Sequence, residues 1–382
     1  MECLPVLAVF ALLFVAFMRV RKGSFNPVRW IYRSGYDLFP NRGGFRWMTH
    51  VLYGPIAFQA VRTGLELGVF DLLKQRPGLT QEAIGRALGV GNVHGLGIVL
   101  DACAAARGLH KRNGRFSVAY PGDLDMLKAH FRQANTLMYR QLFYTREAVE
   151  QGKPMGLYQV YGLNEGNFYE AKRDIPELDE AWTPVISGHS RRNRGRLLAR
   201  FDYGPFRHVM DVGCNDAELL VQVAGRHPDL KGTVIDLPDS PGLERSRRNI
   251  EENGLSDRIE VVGLDAFESP LPRGADLIQF IHFMNMFSPE RNRILLRKAW
   301  EALEPGGTVL VCGPVVREDR NGFLVEEPVL YSLVFLVCRT GEGRIYPEAD
   351  LVAMVEDTGF VDVRARRLNV LEVIVIGRKP GV

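Results

Sequence analysis

The sequence has little that would hold a fold together by covalent or metal links. Its five cysteines, Cys3, Cys103, Cys214, Cys312 and Cys338, are scattered through 382 residues. An odd number without close pairs fits neither a disulfide scaffold nor a zinc cluster, and a reducing compartment is the simpler setting. HExxH, Cys-x-x-Cys and convincing carboxylate–histidine spacings are missing, so no catalytic metal is expected. Charge of one sign is scarce too. A formal net charge of +3 argues against a dedicated binder of polyanions. Long apolar runs are absent except one, Leu4–Met18, which is followed by Arg19, Arg21 and Lys22. It is short against the roughly 20 residues that span hydrocarbon. Only Met1, Glu2 and Cys3 precede it, without the basic lead of a cleaved signal peptide. With Cys3 and Val20 included and the arginines snorkelling, residues 4–18 form a membrane anchor that leaves the body of the protein facing the cytoplasm. The alternative is a buried N-terminal helix in a cytoplasmic protein.

What is present divides the chain. With 46% apolar residues it can bury a sizeable core, and its length allows two or three domains of about 100–200 residues. After the anchor and its basic flank (1–22) comes a Gly-, Pro- and aromatic-rich connector (23–50). Residues 51–122 contain apolar positions at helical spacing over Ile56–Leu73, a capped helix after Thr80, a break at Gly89 and a further helix over Gly97–Ala106. Asn113-Gly114 then favours a tight hairpin. Helices plus a hairpin make a winged-helix-like unit. A DNA reader would need base-contacting side chains on its second helix, whereas GLGIVLDACAAA is almost wholly apolar. Packing or dimerisation is the better reading, without nucleic acid. Residues 123–204 are mainly helical and dense in aromatic and thioether side chains. Phe131, Met138, Tyr139 and Phe143 are candidates for an apolar substrate pocket.

From 205 to 382 the rhythm becomes strand, helix, strand, as in an α/β parallel sheet closed by a terminal strand pair. RHVMDVG, TVIDLPD and EVVGLDAFE each bring an aspartate to a strand's end: Asp211, Asp236 and Asp265. Ligands of open α/β sheets bind outside the carboxyl ends of the strands. The spacing suits a nucleoside, with acids for ribose hydroxyls and an exocyclic amine. The turn DVGCNDAELL supplies one glycine, Gly213, rather than the Gly-x-Gly-x-x-Gly that cradles a pyrophosphate. Asp211 and Asp216 would repel a phosphate but suit an ammonium or a sulfonium. These residues favour S-adenosyl-L-methionine over a nicotinamide dinucleotide.

With those motifs in view, the chain resembles the class I S-adenosylmethionine-dependent O-methyltransferases of small molecules, which carry an N-terminal winged-helix dimerisation domain. The likeness runs from about Val51 to the C-terminus through TGLELGVFDLL, LTQEAIGRALGV, VMDVGCNDAELL, IDLP, GLDAFE and ERNRILLRKAWEALEPGG. It implies a Rossmann-like methyltransferase sheet, a homodimer and a small-molecule methyl acceptor. It also implies a donor site made by Asp211, Gly213, Asn215, Asp236, Leu237, Asp265, Ala266 and Phe267. Two departures stand out. The family's DVGGGxG has Cys214, Asn215 and Ala217 at three of its positions here. Cys214 and Ala217 are small, and Asn215 tolerates left-handed geometry. The family's base histidine, in a His-Asp-Trp sequence after the fourth strand, falls on Asn285, with Met286 next to it. An amide has no useful basicity. The nearest histidine is His282, which shares a face with Asn285 only if a helix starts there. Three mechanisms remain open: His282 as base, catalysis mainly by proximity and orientation, or a base from the helical cap. The rivals are a noncatalytic dimeric scaffold, a C- or S-methyltransferase and an oxidoreductase.

Overall fold

The computed structural model describes residues 42–318, 324 and 326–381. The apolar run 4–18 and the connector up to residue 41 lie outside the described residues. Among the described residues no single helix is long and apolar enough to cross a membrane. The chain divides into two compact units between Leu124 and Asp125.

In the N-terminal unit a helix already runs over Arg42–Glu66, so residues 42–50 are helical where a connector was expected. Gly68, at φ 80°, breaks the expected Ile56–Leu73 helix, and a second helix follows over Val69–Gln75. The Thr80 hydroxyl accepts from Ala83 N at 3.3 Å and starts the helix Gln81–Leu88, which Gly89 ends in the left-handed region. The next helix, Val93–Ala105, begins before Gly97 because Asn92 caps it, its Oδ1 accepting from Gly95 N. Asn113 and Gly114 take φ of 50° and 71°, the positive pair a tight hairpin needs. They join β2 (Leu109–Arg112) to β3 (Arg115–Val118), and β1 (Leu79–Thr80) pairs with β3. Val51, Leu52, Tyr53, Ile56 and Ile98 remain exposed on this unit.

The second unit starts with helices. A turn of π-helix (Asn135–Tyr139) and a 3₁₀ turn (Gln141–Tyr144) lead to helices Thr145–Gln151, Met155–Tyr161, Phe168–Asp174 and Pro176–Arg200. Leu137, Leu157, Phe168, Leu178 and Trp182 form their apolar centre. The sheet follows, with β4 (His208–Val212), β5 (Lys231–Asp236), β6 (Ile259–Gly263), β7 (Ala275–Ile281), β8 (Leu303–Pro314), β9 (Val361–Arg367) and β10 (Glu372–Arg378). Its order is β6-β5-β4-β7-β8-β10-β9. β4 to β8 are parallel, and β10 runs antiparallel to both β8 and β9. Helices Glu218–Arg226, Pro241–Glu252, Pro289–Ala302 and Glu348–Asp357 alternate with the strands. Their apolar sides close two cores against the sheet, one containing Met210, Ile278 and Leu295 and the other Val209, Leu220 and Val234. The chain builds outward from β4 to β6, then returns to add β7 on the other side. That reversal opens a crevice at the carboxyl ends of β4 and β7.

Candidate functional site

The first turn of the crevice is held by backbone and carboxylate together. Gly213 and Cys214 donate to the Ile235 carbonyl at 2.8 and 3.2 Å, clamping the turn to β5. Gly213 has φ +79°, and a Cβ added there would stand 2.2 Å from Cδ2 of Phe283. The neighbour that demands glycine is therefore this ring inside the protein, not a ligand alone. Asn215 and Ala217 take φ of 53° and 55°. The first suits asparagine; the second costs an alanine about 1 kcal/mol or more. Asp216 Oδ1 accepts from Glu218 N at 3.3 Å, so a carboxylate occupies the helix start where a phosphate would otherwise bind.

Asp236, the last residue of β5, joins the pieces. Its Oδ2 accepts from Asn215 N at 3.0 Å, and its Oδ1 accepts from Leu237 N at 2.8 Å and Ser240 Oγ at 3.3 Å. A carboxylate offers about four acceptor directions, so Oδ2 keeps capacity for a ligand hydroxyl. Asp211 is 4% exposed. Burial pushes its carboxyl up to about 7; the Gln279 side chain pulls it down, and Asp216 and Asp236 push it further up. A buried acid with no ion-pair partner among the described residues fits a positively charged ligand. Arg245 links the turn to the helix Pro176–Arg200, donating to Asn215 Oδ1 at 3.2 Å and to Asp179 at 2.7 Å.

Asp265 lies in the loop after β6, where its Oδ1 accepts from Phe267 N at 2.8 Å. Ala266 is buried. The Phe267 ring meets Phe287 edge-on at 4.6 Å and carries the Arg291 guanidinium 3.8 Å over its face. Lys298 fixes the loop from below, donating to the carbonyls of Ala266, Phe267 and Ser269. Asp211, Gly213, Asn215, Asp236, Leu237 and the Asp265–Phe267 loop thus follow adjacent strands β4, β5 and β6 at one edge of the sheet.

His282 follows β7 at φ +54°, and its N–H donates to Cys312 O at 2.7 Å. This left-handed residue separates it from the 3₁₀ turn Met284–Met286, so no helical face joins His282 to Asn285. The imidazole turns to β10 instead. Its Nε2 lies 3.2 Å from Glu372 Oε1, and Asn193 Nδ2 donates to the same oxygen at 2.5 Å. Burial alone would raise the Glu372 carboxyl, but hydrogen bonds from His282 and Asn369 and the charge of Arg196 hold it below the usual value. An ionised carboxylate only accepts, so Nε2 carries the proton and Nδ1 is the basic nitrogen. Asn285 Oδ1 is buried without a hydrogen-bond partner. It faces Gly313 of β8, 3.8 Å from where a Cβ would stand. The Met286 carbonyl accepts from Thr340 Oγ1 at 2.5 Å.

In the helical part, Met138 packs against two apolar clusters, and burial raises the Tyr139 phenol. Phe131 is half-buried on the helix Leu124–Ala134. Phe143 departs from expectation. The 3₁₀ turn buries Gln141 and leaves Phe143 80% exposed, so it lines no interior surface of this unit. Sequence reasoning missed Glu372, Asn193 and Arg339. Glu372 had a signal, as a lone charge bordering the apolar run VIVI.

Comparison with known proteins names the class. Residues 142–361 match the O-methyltransferase domain, and residues 49–120 match the O-methyltransferase dimerisation domain. The chain is 27% identical over 333 residues to the L-tyrosine C(3)-methyltransferase of Streptomyces lavendulae, covering 85% of this chain and 88% of that protein. It is 29% identical over 328 residues to the 3-hydroxy-5-methyl-1-naphthoate 3-O-methyltransferase of Streptomyces sahachiroi, covering 84% and 90%. Its structure is similar to the apo form of the S-adenosylmethionine-dependent methyltransferase SibL, with a TM-score of 0.71 and 28% identity over 87% of this chain and 98% of the other. The protein belongs to the O-methyltransferase family and is an S-adenosylmethionine-dependent methyltransferase with a dimerisation domain.

The turn makes a direct prediction. Gly213→Ala meets both a left-handed backbone and the Phe283 ring and is expected to cost about 2–4 kcal/mol, while Ala217→Gly should be neutral or mildly stabilising. Thermal unfolding midpoints check this; equal midpoints for wild type and Gly213→Ala would contradict it.

Proposed function

We propose that the protein transfers the methyl group of S-adenosylmethionine to a hydroxyl on a small aromatic acceptor. The observation that carries this reading is the meeting of Asp211, Asp236 and the His282–Glu372 pair at the carboxyl edge of one sheet. The relatives are named for tyrosine and a hydroxynaphthoate, both hydroxylated aromatic molecules. When bound, the donor supplies a methyl group on a positive sulfur, which an incoming nucleophile attacks in line. Asp236 takes the ribose hydroxyls through the spare capacity of Oδ2. Leu237, Ala266 and Phe267 frame the adenine, and Asp265 accepts from its amine. Gly213 and Asn215 form the floor of the turn, and Asp211 stabilises the positive end of the donor.

On the acceptor side, Met138, Tyr139, Phe131 and Met286 supply apolar surface. Asn285 hydrogen-bonds the attacking oxygen through its amide nitrogen and orients it, which leaves the hydroxyl's one hydrogen to the base. His282 Nδ1 receives the proton, while Glu372 fixes the ring and stabilises the imidazolium. Positioning still dominates: alignment supplies roughly 7–11 kcal/mol, against about 3–5 kcal/mol for a general base worth 10²–10⁴ in rate. Residues 51–122 form a winged-helix dimerisation unit, 123–204 the helical cap and 205–382 the donor-binding domain. Val51, Leu52, Tyr53, Ile56 and Ile98, exposed on the N-terminal unit, are covered by the second copy.

Four measurements test these roles. Calorimetry with S-adenosylhomocysteine and S-adenosylmethionine should show Asp236→Ala weakening binding by about 10- to 100-fold, with a smaller effect on the rate of the bound complex. Because the buried Asp211 carboxyl lies up at about 7, only its ionised form favours a cation. Donor affinity should rise as pH increases through 7 and level off above it; a flat profile from pH 6 to 8 would remove Asp211 from this role. With an acceptor found by mass of the labelled product, His282→Ala should lower kcat by about 10²-fold or more. An unchanged kcat would leave positioning alone. Finally, Ile56→Asp with Ile98→Asp should convert the dimer to monomer in light scattering. A persistent dimer would place the interface elsewhere.

A further inference from the structure

Of three buried cations among the described residues, Lys172 pairs with Asp179 and Arg194 with Glu218, whereas Arg339 has no carboxylate partner. Arg339 follows the helix Glu326–Cys338 and has no exposed surface. Its guanidinium stacks 4.1 Å over the Phe168 ring and lies 5.0 Å from the centre of Trp182. Nη1 donates to the carbonyls of Leu137 at 3.3 Å and Cys338 at 3.0 Å. Nε and Nη2 are buried and meet no hydrogen-bond partner at normal geometry; the buried Tyr331 phenol, which burial raises and the guanidinium lowers, lies beside the fork as a neutral partner only. No carboxylate among the described residues forms an ion pair with it. Buried charges are ordinarily paired, because a neighbouring ring and two carbonyls replace only part of their lost hydration.

The two idle nitrogens make the choice of ligand specific. Nε and Nη2 form one edge of the planar fork, the edge that matches the two oxygens of a carboxylate. A further hydroxyl lies in the same cluster. Tyr169 stacks edge-on against Phe168 at 5.4 Å, and its hydroxyl is buried without a hydrogen-bond partner. Burial raises that phenol, Arg339 pulls it down, and Tyr331 and Asp236 push it up. On its other flank the Arg339 peptide is tied to the turn that carries Asn285. Thr340 Oγ1 donates to the Met286 carbonyl, and Gly343 abuts the same segment, so that a Cβ there would stand 2.8 Å from the Asn285 carbonyl.

We propose that Arg339, through Nε and Nη2 and with the Tyr169 hydroxyl beside it, binds a carboxylate of the methyl acceptor, so that the substrates are hydroxylated aromatic acids rather than neutral phenols. This rests on the reading of the protein as a methyltransferase with its acceptor under the helical cap. The aromatic part of such an acid would lie among Phe168, Trp182 and Met138, its charge on the fork and its hydroxyl towards Asn285.

The test uses the full-length dimer saturated with S-adenosylhomocysteine and two probes of equal shape, 2-naphthoate and 2-naphthamide. Calorimetry should show the acid binding roughly 10- to 100-fold more tightly than the amide, the range of a charge-assisted pair. Arg339→Met should erase that preference, and Tyr169→Phe, which removes only a hydroxyl, should reduce acid binding several-fold. Retained binding of S-adenosylhomocysteine by each variant certifies its fold; should Arg339→Met lose it, the wild-type comparison and Tyr169→Phe decide. Equal affinity of the two probes, no binding of the acid at millimolar concentration, or an acid preference that survives Arg339→Met would each overturn the proposal. Failure of the wild type to bind S-adenosylhomocysteine would instead remove the methyltransferase reading on which it rests.

Discussion

The carboxylate of Asp236 is the constraint on which the crevice depends. It accepts from Asn215 N of the β4 turn, from Leu237 N of its own strand end and from the Ser240 hydroxyl. Ser240 in turn caps the helix Pro241–Glu252, its hydroxyl accepting from Leu243 N at 3.1 Å. One side chain thus fixes the turn after β4, the exit of β5 and the start of the following helix. Backbone N–H groups that bond a carboxylate are strong partners, and here they also keep the carboxylate aimed along the edge of the sheet. Without that anchor the β4 turn would lose its hold on β5 except through the Ile235 carbonyl.

The second organising fact is the direction of β10. An all-parallel sheet would send the start of every strand to the far edge. Because β10 runs antiparallel to β8, with Glu372 opposite Pro314, its first residue arrives at the edge where β7 ends. There Glu372 meets His282. An acid from a distant part of the chain therefore supports a histidine that local sequence leaves isolated. The pair is also tied to the helical cap, since Asn193 donates to Glu372.

Much of this was legible before any coordinates. The alternation of strands and helices foretold the sheet, and the aspartates marked the carboxyl ends of its strands, because both signals are local. The left-handed character of Asn215 could be anticipated from its residue type. Three features could not be read. The Asn92 cap and the Gly68 break moved helix boundaries, each through one residue whose role depends on its neighbours' conformation. The partner of His282 depends on which strand lies beside β8. Arg339 matters through burial, and a charge at the end of LVFLVC looks in sequence like a helix's solvated end. Phe143 failed for a related reason: aromatic content does not say which side of a one-turn helix faces inward.

Backbone strain marks the same edge independently. Among the described residues, the non-glycine positions at positive φ include Asn215, Ala217, Asp239 and His282, which follow β4, β5 and β7 at their carboxyl ends. Such conformations cost of order 1 kcal/mol or more each and persist only where the surroundings over-determine them. The surroundings here are the strands themselves. Val209, Met210, Val234, Ile278 and Leu277 have no exposed surface, and their packing holds each strand end in place while the loops beyond take up the strain. In Ala217 that cost has no offset in residue type, whereas glycine would remove it; the alanine's Cβ is instead wholly buried, filling space beside the helix it precedes. The stable body of the sheet and the strained rim are two parts of one arrangement. The rim can present carboxylates and an imidazole in fixed directions because the strands behind it cannot shift.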